Sequence, residues 1–408
     1  MEVNKAMNSY LDTLLSGDIP REWSFEPAEY DTRIATLRER MAARGIDVML
    51  IHGAVDLCYL TGYQTLWPDA YACLVVPLDG EPFMQVGEVE ASCAVLHGGI
   101  TDLVLFDWVG AAAIPGQLAD LLKARGYGNK AIGVQSGRIE MGKSGPVDAR
   151  LLDHLRTALD GATFINATLL MFEMRFRKSP AEMVYMRRAA KITNSGMRAA
   201  VAAVEPGKTE NDIAALASLV MIAAGSEFFS IDPIVNAGHR TGYFHTTFKR
   251  HPIVEGDPVQ LEFGGCFHRY TSPQMRTVLT GRPTHFQRRV IDTQMAALKT
   301  LYGAVRPGRS VRDVAKETQK AMGGMDDEIF RSGHFGYSVG LGFPPTWTDG
   351  PGYLSEDKDF ELEVGMTFHT PFSWRVPKEF VIGTSETIAV TETGCDTLTS
   401  DERTVEIK

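Results

Sequence analysis

The 408-residue chain is 44% apolar and 23% charged, an ordinary balance for a folded protein with two domains or three. Its 41 basic and 51 acidic residues leave a net charge of −10, which argues against a nucleic-acid surface. No apolar run approaches the ~18 residues of a membrane span, and the start MEVNKAMNSYLDTLLSGDIPREW lacks the apolar core of a signal peptide.

Residues 30–44, YDTRIATLRERMAAR, put Ile34, Leu37 and Met41 on one helical face, with Gly45 as a stop. Strands are expected at VMLIHG (48–53), ACLVVP (72–77), EPFMQVG (81–87), TDLVLF (101–106) and KAIGVQ (130–135). A helix over 114–126 lies between the last two. This alternation predicts an α/β domain over residues 29–168, behind an extension of residues 1–28. No GxGxxG follows its first strand, so no dinucleotide site is expected. Five cysteines, at 58, 73, 93, 266 and 395, are scattered without CxxC spacing. They predict free thiols in a reducing, cytoplasmic setting, with Cys266 a small packed side chain.

A second domain, residues 169–408, opens at FEMRFRKSPAEMVYMRRAAKI. Ser179 is the expected N-cap, Pro180 takes the first helical position and Glu182 closes a capping box. Further on, VEPGKTENDIA (204–214) matches VRPGRSVRDVA (305–315) without a gap. Each copy follows a helical stretch, turns at Pro-Gly, and offers Thr209 or Ser310 as N-cap with Asp212 or Asp313 three residues on. The offset of about 100 residues is too long for a solenoid. It predicts a duplicated helix–turn–helix unit in two pseudo-symmetric halves, each followed by a strand-rich block, with a site between them.

In order along the chain, RKSPAE, the paired PG turns, EGDPVQLEFGG, RTVLTG, GMTF and SETIAVTETG resemble the creatinase and aminopeptidase P superfamily. The likeness covers residues 170–400, and more weakly the first domain through RIATLRERMAARGIDVMLI. It implies an α/β N-terminal domain and an α+β pita-bread C-terminal domain with an internal pseudo-two-fold repeat. Metal-dependent members hold two divalent ions with two Asp, one His and two Glu. Those positions fall here on Glu262, Pro273, Tyr337, Thr370 or Pro371, and Glu386. Proline has no side-chain donor and tyrosine is a poor ligand for such ions. No cofactor is therefore expected, and Xaa-Pro metallopeptidase chemistry, with its metal-activated hydroxide, is disfavoured.

LTGYQTLWPDAY, HTTF, EFGGCFHRYTSPQMRT, GYSVGLGFPPTW and GMTFH resemble the metal-free branch, which includes creatinase and, more closely, the ectoine hydrolases. That likeness implies hydrolysis of a C–N bond in a small amidine. For ectoine or 5-hydroxyectoine it means ring opening to N-acetyl-diaminobutyrate. It also implies a homodimer whose N-terminal domain covers the neighbouring site, with no nucleic-acid or membrane partner.

Glu262 ends an apolar strand beside two glycines. A carboxylate there can bind an amidinium and attack its central carbon or activate water; the alternative is a structural ion pair with Arg276. The resemblance implies the nucleophile, with an ester-like intermediate. His245 stands 12 residues before Asp257 of the EGD turn, the relation that creatinase's catalytic His has to its own GD turn, and imidazole suits a proton shuttle. A structural histidine is the alternative. Glu386 pairs with the amidinium or orients water, unless it forms a structural ion pair. Tyr337 hydrogen-bonds substrate or packs. Arg276 steers Glu262 or holds a substrate carboxylate. His369 lies on a strand expected to face the cleft; His239 ranks beside it, and His251, His268 and His334 have weaker claims. Tyr63, Trp67, Tyr71, Phe343, Trp347 and Trp374 either hold a delocalised cation on their ring faces or belong to the core.

Two rival functions stand beside the amidine hydrolase. A creatinase-type amidinohydrolase on a guanidino compound is disfavoured by Met275, which stands where creatinase has a guanidino-binding Glu. A non-catalytic binding homologue is disfavoured by the intact His245–Glu262–Glu386 set. Two departures from the ectoine hydrolase pattern, Lys249-Arg250-His251 after HTTF and TPFSWRVPKEF with Arg375 and Lys378, bear on the substrate rather than the fold.

Overall fold

A computed structural model describes residues 2–138, 143–144, 146–324, 328–399 and 404–408. It divides into two compact units, Met1–Arg175 and Phe176–Lys408. In the first, the five expected strands form along with a sixth. Their order across the sheet is Leu103–Phe106, Phe83–Gly87, Ala72–Pro77, Val48–Ile51, Ala131–Val134 and Thr163–Asn166. The central strand Val48–Ile51 runs antiparallel to Ala72–Pro77 and parallel to Ala131–Val134. Its continuous apolar run suits burial on both faces, and helices Ile114–Ala124 and Ala149–Ala158 supply Leu118, Leu122, Leu151 and Leu155 to that core.

Helix Pro27–Ala42 buries Tyr30, Arg33, Leu37 and Met41, while Ile34 stays half-buried. The buried face is thus turned by one residue from the apolar stripe, because Arg33 is fully used. It donates to the Tyr59 carbonyl and to Glu29, and its guanidinium lies 4.2 Å from the Tyr59 ring centre. The N-terminal extension contributes a helix, Glu2–Leu15.

The second unit realises the repeat. Helices Pro180–Ala203 and Glu210–Ala223 form one antiparallel pair, His285–Ala304 and Val311–Met322 the other. Each pair has its own core. Ile192, Ala217, Val235 and Leu261 meet in the first; Leu298, Val314, Phe368 and Ile388 meet in the second. The turns match too: Gly207 and Gly308 both adopt positive φ, +94° and +77°, where glycine is favoured over other residues.

The capping boxes predicted at Ser179/Glu182 and Thr209/Asp212 are both present. Ser310 occupies the matching N-cap of the second copy but makes no side-chain cap. Its backbone bridges to Glu361 instead. Thr209→Ala should therefore cost about 1 kcal/mol and Ser310→Ala close to nothing, as read from denaturant midpoints.

Four strands, Ile234–Ala237, Pro258–Phe263, Gln274–Leu279 and Glu406–Ile407, make one sheet of this unit. Tyr337–Phe343, Thr346–Tyr353, Thr367–His369 and Thr387–Val390 belong to a larger one, and Phe372–Val376 pairs with Phe380–Thr384 as a ribbon. The chain turns after Phe263 through Gly264 and Gly265. A Cβ on Gly265 would come within 2.5 Å of Ile192 Cγ2, so the turn closes against the first helix only with glycine. Among the described residues no helix is long and apolar enough to cross a membrane.

Candidate active site

A cleft of about 860 Å³ opens within the second unit, a size suited to a small organic molecule. Alternation along Pro258–Phe263 sends Gln260 and Glu262 to its floor and leaves Val259, Leu261 and Phe263 in the core. The same period-two rule operates in Phe372–Val376. Ser373 and Arg375 face the cleft, while Phe372, Trp374 and Val376 join the second core. Tyr337, Trp347 and His334 form a further wall, and Phe244 and His245 come from the loop after Gly242.

Glu262 keeps some accessible surface toward the cleft, yet its walls strip most of its water. Burial pushes its carboxyl up to about 7, against the pull of the Arg375 charge and a hydrogen bond from Gln260. Gln260 links these two charges. Its Nε2 donates to Glu262 Oε2 at 3.3 Å, and its Oε1 accepts from Arg375 Nη2 at 3.2 Å. Arg375 is lowered to about 10 by burial, with Glu262 opposing, and so stays cationic at neutral pH.

Tyr337 is held from two sides. Trp347 Nε1 donates to its hydroxyl at 2.9 Å, and His369 Nδ1 lies at 2.9 Å from the same oxygen. His369 is fully buried and bonded through Nε2 to Ser385 Oγ at 2.6 Å. Burial, with His334 nearby, lowers it to about 3, so it is a neutral ring that orients Tyr337 and does not line the cleft. Burial and the Glu262 charge raise Tyr337 well above the usual phenol range, which keeps it protonated. His245 reaches the cleft on a left-handed backbone, φ 51°, with its ring against Phe244. Such a conformation is uncommon outside glycine and clusters at functional sites. His334 is half-buried, its pKa is lowered by desolvation, and its Nδ1 has no hydrogen-bond partner.

Several expectations are corrected. Arg276 does not pair with Glu262. In the ladder Leu261 faces Arg276 and Glu262 faces Met275, so the two side chains project from opposite faces of the sheet. Arg276 instead donates to Glu386 Oε1 at 2.6 Å and to the Ser385 carbonyl at 2.9 Å. Glu386 is completely buried, and it also accepts from Thr399 at 2.7 Å and from Gln274 at 3.1 Å. Burial raises its pKa and Arg276 holds it down. Neither residue lines the cleft; together they form a structural clasp.

Among the aromatics, Trp347 lines the cleft, but Trp374 lies on the core face of its strand. Phe343 is buried against Arg269, whose guanidinium stands 4.7 Å from its ring centre. In the first unit, Tyr63 is buried with its hydroxyl on Glu90 at 2.8 Å, and Tyr71 packs on His52 and bonds Gln85. These two serve that unit's interior. Trp67 is half-exposed and rests against Trp108. His239 packs near His251 away from the cleft lining. Conversely, the cleft also takes Gln260, for which the sequence suggests no role, Arg375, named above only as a departure from the ectoine hydrolase pattern, and His334, given a weaker claim. The alternation F-S-W-R-V, with apolar residues on one face and Ser373 and Arg375 on the other, was the available signal.

A pair of divalent ions does not fit the donors at the positions where metal-dependent relatives hold them. Pro273 contributes only its carbonyl, which already accepts from Thr387. The Tyr337 hydroxyl is taken by Trp347 and His369, and both Glu386 oxygens are hydrogen-bonded within the clasp. That leaves Glu262 as the single carboxylate of the set facing the cleft. Among the described residues, no group of three or more His, Cys, Asp or Glu is arranged to hold a metal.

The second unit matches the metallopeptidase family M24 over residues 184–392, and the first matches the creatinase/prolidase N-terminal domain over residues 33–177. The chain is 28% identical to an ectoine hydrolase from Halomonas elongata, across 94% of this chain and 98% of that one. It is 26% identical to an Xaa-Pro dipeptidase from Pyrococcus furiosus, across 64% of this chain and 74% of the relative. Among solved structures, the prolidase of Pyrococcus horikoshii superimposes with a TM-score of 0.77 at 22% identity, over 91% of this chain and 99% of that one. The fold is thus the pita-bread arrangement behind an α/β domain, in a lineage of hydrolases. With more than half of its length matched, the chain belongs to the metallopeptidase family M24, joined to a creatinase/prolidase N-terminal domain.

Proposed function

We propose that this protein is a metal-independent hydrolase of a C–N bond in a small cyclic amidine, with ectoine or 5-hydroxyectoine as substrate and N-acetyl-diaminobutyrate as product. The observation that carries the reading is Glu262, a carboxylate on the cleft floor, with the Tyr337 hydroxyl beside it already taken by Trp347 and His369 and with Pro273 offering only a carbonyl that accepts from Thr387. The ectoine hydrolase from Halomonas elongata, similar along nearly its whole length, supports it.

In this reading the substrate brings the positive charge. A protonated amidine is an electrophile, and an ionised Glu262 both attracts it and attacks its central carbon, directly or through a water. Entry of the cation lowers the Glu262 pKa, so binding generates the reactive form. Tyr337, fixed by Trp347 and His369, positions the ring. His245 carries a proton to the departing nitrogen, with His334 as a second imidazole at the cleft. The net change adds water across one C–N bond: the carbon keeps an oxygen as the amide carbonyl and the nitrogen leaves as an amine. A homodimer and a cytoplasmic location belong to the same proposal; the exposed Leu66 and Trp67 of the first unit offer apolar surface for a second copy.

The test incubates chelator-treated protein with ectoine, creatine and a proline dipeptide and follows products by mass spectrometry. Ectoine should be opened at an unchanged rate after chelation. Turnover that returns only with Mn²⁺ or Co²⁺ would overturn metal independence. Creatine hydrolysis would favour the guanidino alternative, dipeptide cleavage the peptidase, and ligand binding without turnover a non-catalytic homologue.

A further inference from the structure

Arg375 is a buried cation with donors to spare. It is 3% exposed, and its guanidinium is covered on one side by the Phe244 ring, 3.7 Å from the centre. Nη1 donates to Ser373 Oγ and Nη2 to Gln260 Oε1. Nε is buried without a hydrogen-bond partner. A guanidinium has five N–H donors and no acceptor, so two neutral oxygens leave most of its capacity unused. Nor does any carboxylate among the described residues reach it at ion-pair distance; the nearest interacting charge, Glu262, acts through the intervening Gln260 amide.

Burying an unpaired cation is costly unless something compensates it. The Glu262 charge does part of this. Once a substrate cation occupies Glu262, that compensation is withdrawn, and Arg375, which lines the cleft, is left with unused N–H donors. The other titratable groups lining the cleft are Asp232, His245, His334, Tyr337 and Tyr353, and none of them supplies a hydrogen bond to Arg375.

We propose that Arg375 receives a carboxylate of the substrate, so that the cleft selects compact zwitterions with the cationic C–N group at Glu262 and the anion at Arg375. This rests on the amidine reading above and adds a requirement to it: the substrate must carry an acid group on the side away from the reacting carbon. An Arg–carboxylate contact is charge-assisted and often bidentate, which would fix the ring's orientation as well as its affinity. Ser373 and Gln260, already bonded to the guanidinium, hold its plane in place for that contact.

The test uses pairs of ligands that differ by the carboxylate alone: ectoine against the same ring lacking its acid group, and creatine against dimethylguanidine. Binding to the full-length protein is measured by calorimetry. At least one carboxylate-bearing member should bind wild type about 30-fold or more tighter than its partner. That preference should fall below about threefold in Arg375→Met and recover in part in Arg375→Lys, with circular dichroism checking the fold of each. If ectoine is not hydrolysed yet the preference is present and depends on Arg375, the anion site stands and the amidine reading falls. If no carboxylate member outbinds its partner in wild type, the anion site is overturned even where ectoine is turned over. The wild-type comparison decides this alone should the variants not fold. An Arg375 that only steadies Glu262 would weaken both members of a pair equally.

Discussion

Glu262→Gln should abolish turnover and at the same time make the protein more stable at pH 8. The first half follows from the chemistry: a carboxamide neither attacks an amidine nor activates water, and loss of a nucleophile lowers kcat by about a thousandfold or more. The second half follows from the same burial that makes the residue useful. The ordinary value of 4.5 rises to about 7 in the folded protein, so the folded state holds this proton more tightly than the unfolded chain does. Stability therefore declines as pH rises through the window between those values, and the full cost is present above it. Glutamine carries no such cost. A gain of about 3 kcal/mol is expected at pH 8, shrinking to nothing below about pH 4.5.

Thermal melts of the two proteins across this range read the effect. A lower melting temperature for the variant at pH 8 would contradict the desolvation argument, and near-normal turnover would remove Glu262 from the reaction. The wild-type profile gives a companion result: kcat/KM should fall about tenfold per pH unit below about 7, because only the ionised form reacts.

The opposite pattern is expected at the clasp. Glu386→Ala, or Arg276→Met, leaves a buried charge without its partner and should cost about 3–5 kcal/mol. The double variant should lose less than the sum of the two, since each single change already strands the other group. Protein that remains folded should bind and turn over substrate with KM within about threefold of wild type. A large fall in kcat with an unchanged denaturation midpoint would return Glu386 to the chemistry. The contrast with Glu262 is instructive: Glu262 sits within strand Pro258–Phe263 and faces the cleft, whereas Glu386 sits between strands Phe380–Thr384 and Thr387–Val390 and is held by buried partners.

Much of the architecture was legible because it rests on local rules. The capping residues at Ser179 and Thr209 and the apolar strands of the first unit are short-range signals, and each appears where expected; helix Pro27–Ala42 ends before the expected stop, and Gly45 lies in the turn that follows with positive φ. The duplicated turn likewise announced two halves. Strand 346–353 gave a weaker signal, since a Pro- and Gly-containing segment does not read as a simple strand.

The site was legible only in part. Glu262, His245, Tyr337 and Trp347 do meet at one cleft. Glu386, between two strands, is taken by Arg276, Thr399 and Gln274, partners distant in sequence or on another element. Arg276 departs from its expected place because a one-residue difference in position decides which face of a sheet a side chain serves, and pairing register is not visible in one strand's sequence. Trp374 failed for the same reason, one residue from Arg375. Phe343 was claimed from elsewhere by Arg269, a cation 74 positions earlier in the chain, which no local pattern announces.

Gln260 has a consequence for how the charges of the site are held. Its amide lies head to tail between a carboxylate and a guanidinium, N–H end toward the anion and carbonyl end toward the cation. A dipole held in that sense favours the ionised form of both neighbours at once, and its hydrogen bond pulls the Glu262 pKa down against burial. Water in the same place would be free to reorient. One uncharged side chain thereby keeps an anion and a cation in fixed relation without itself gaining or losing a proton.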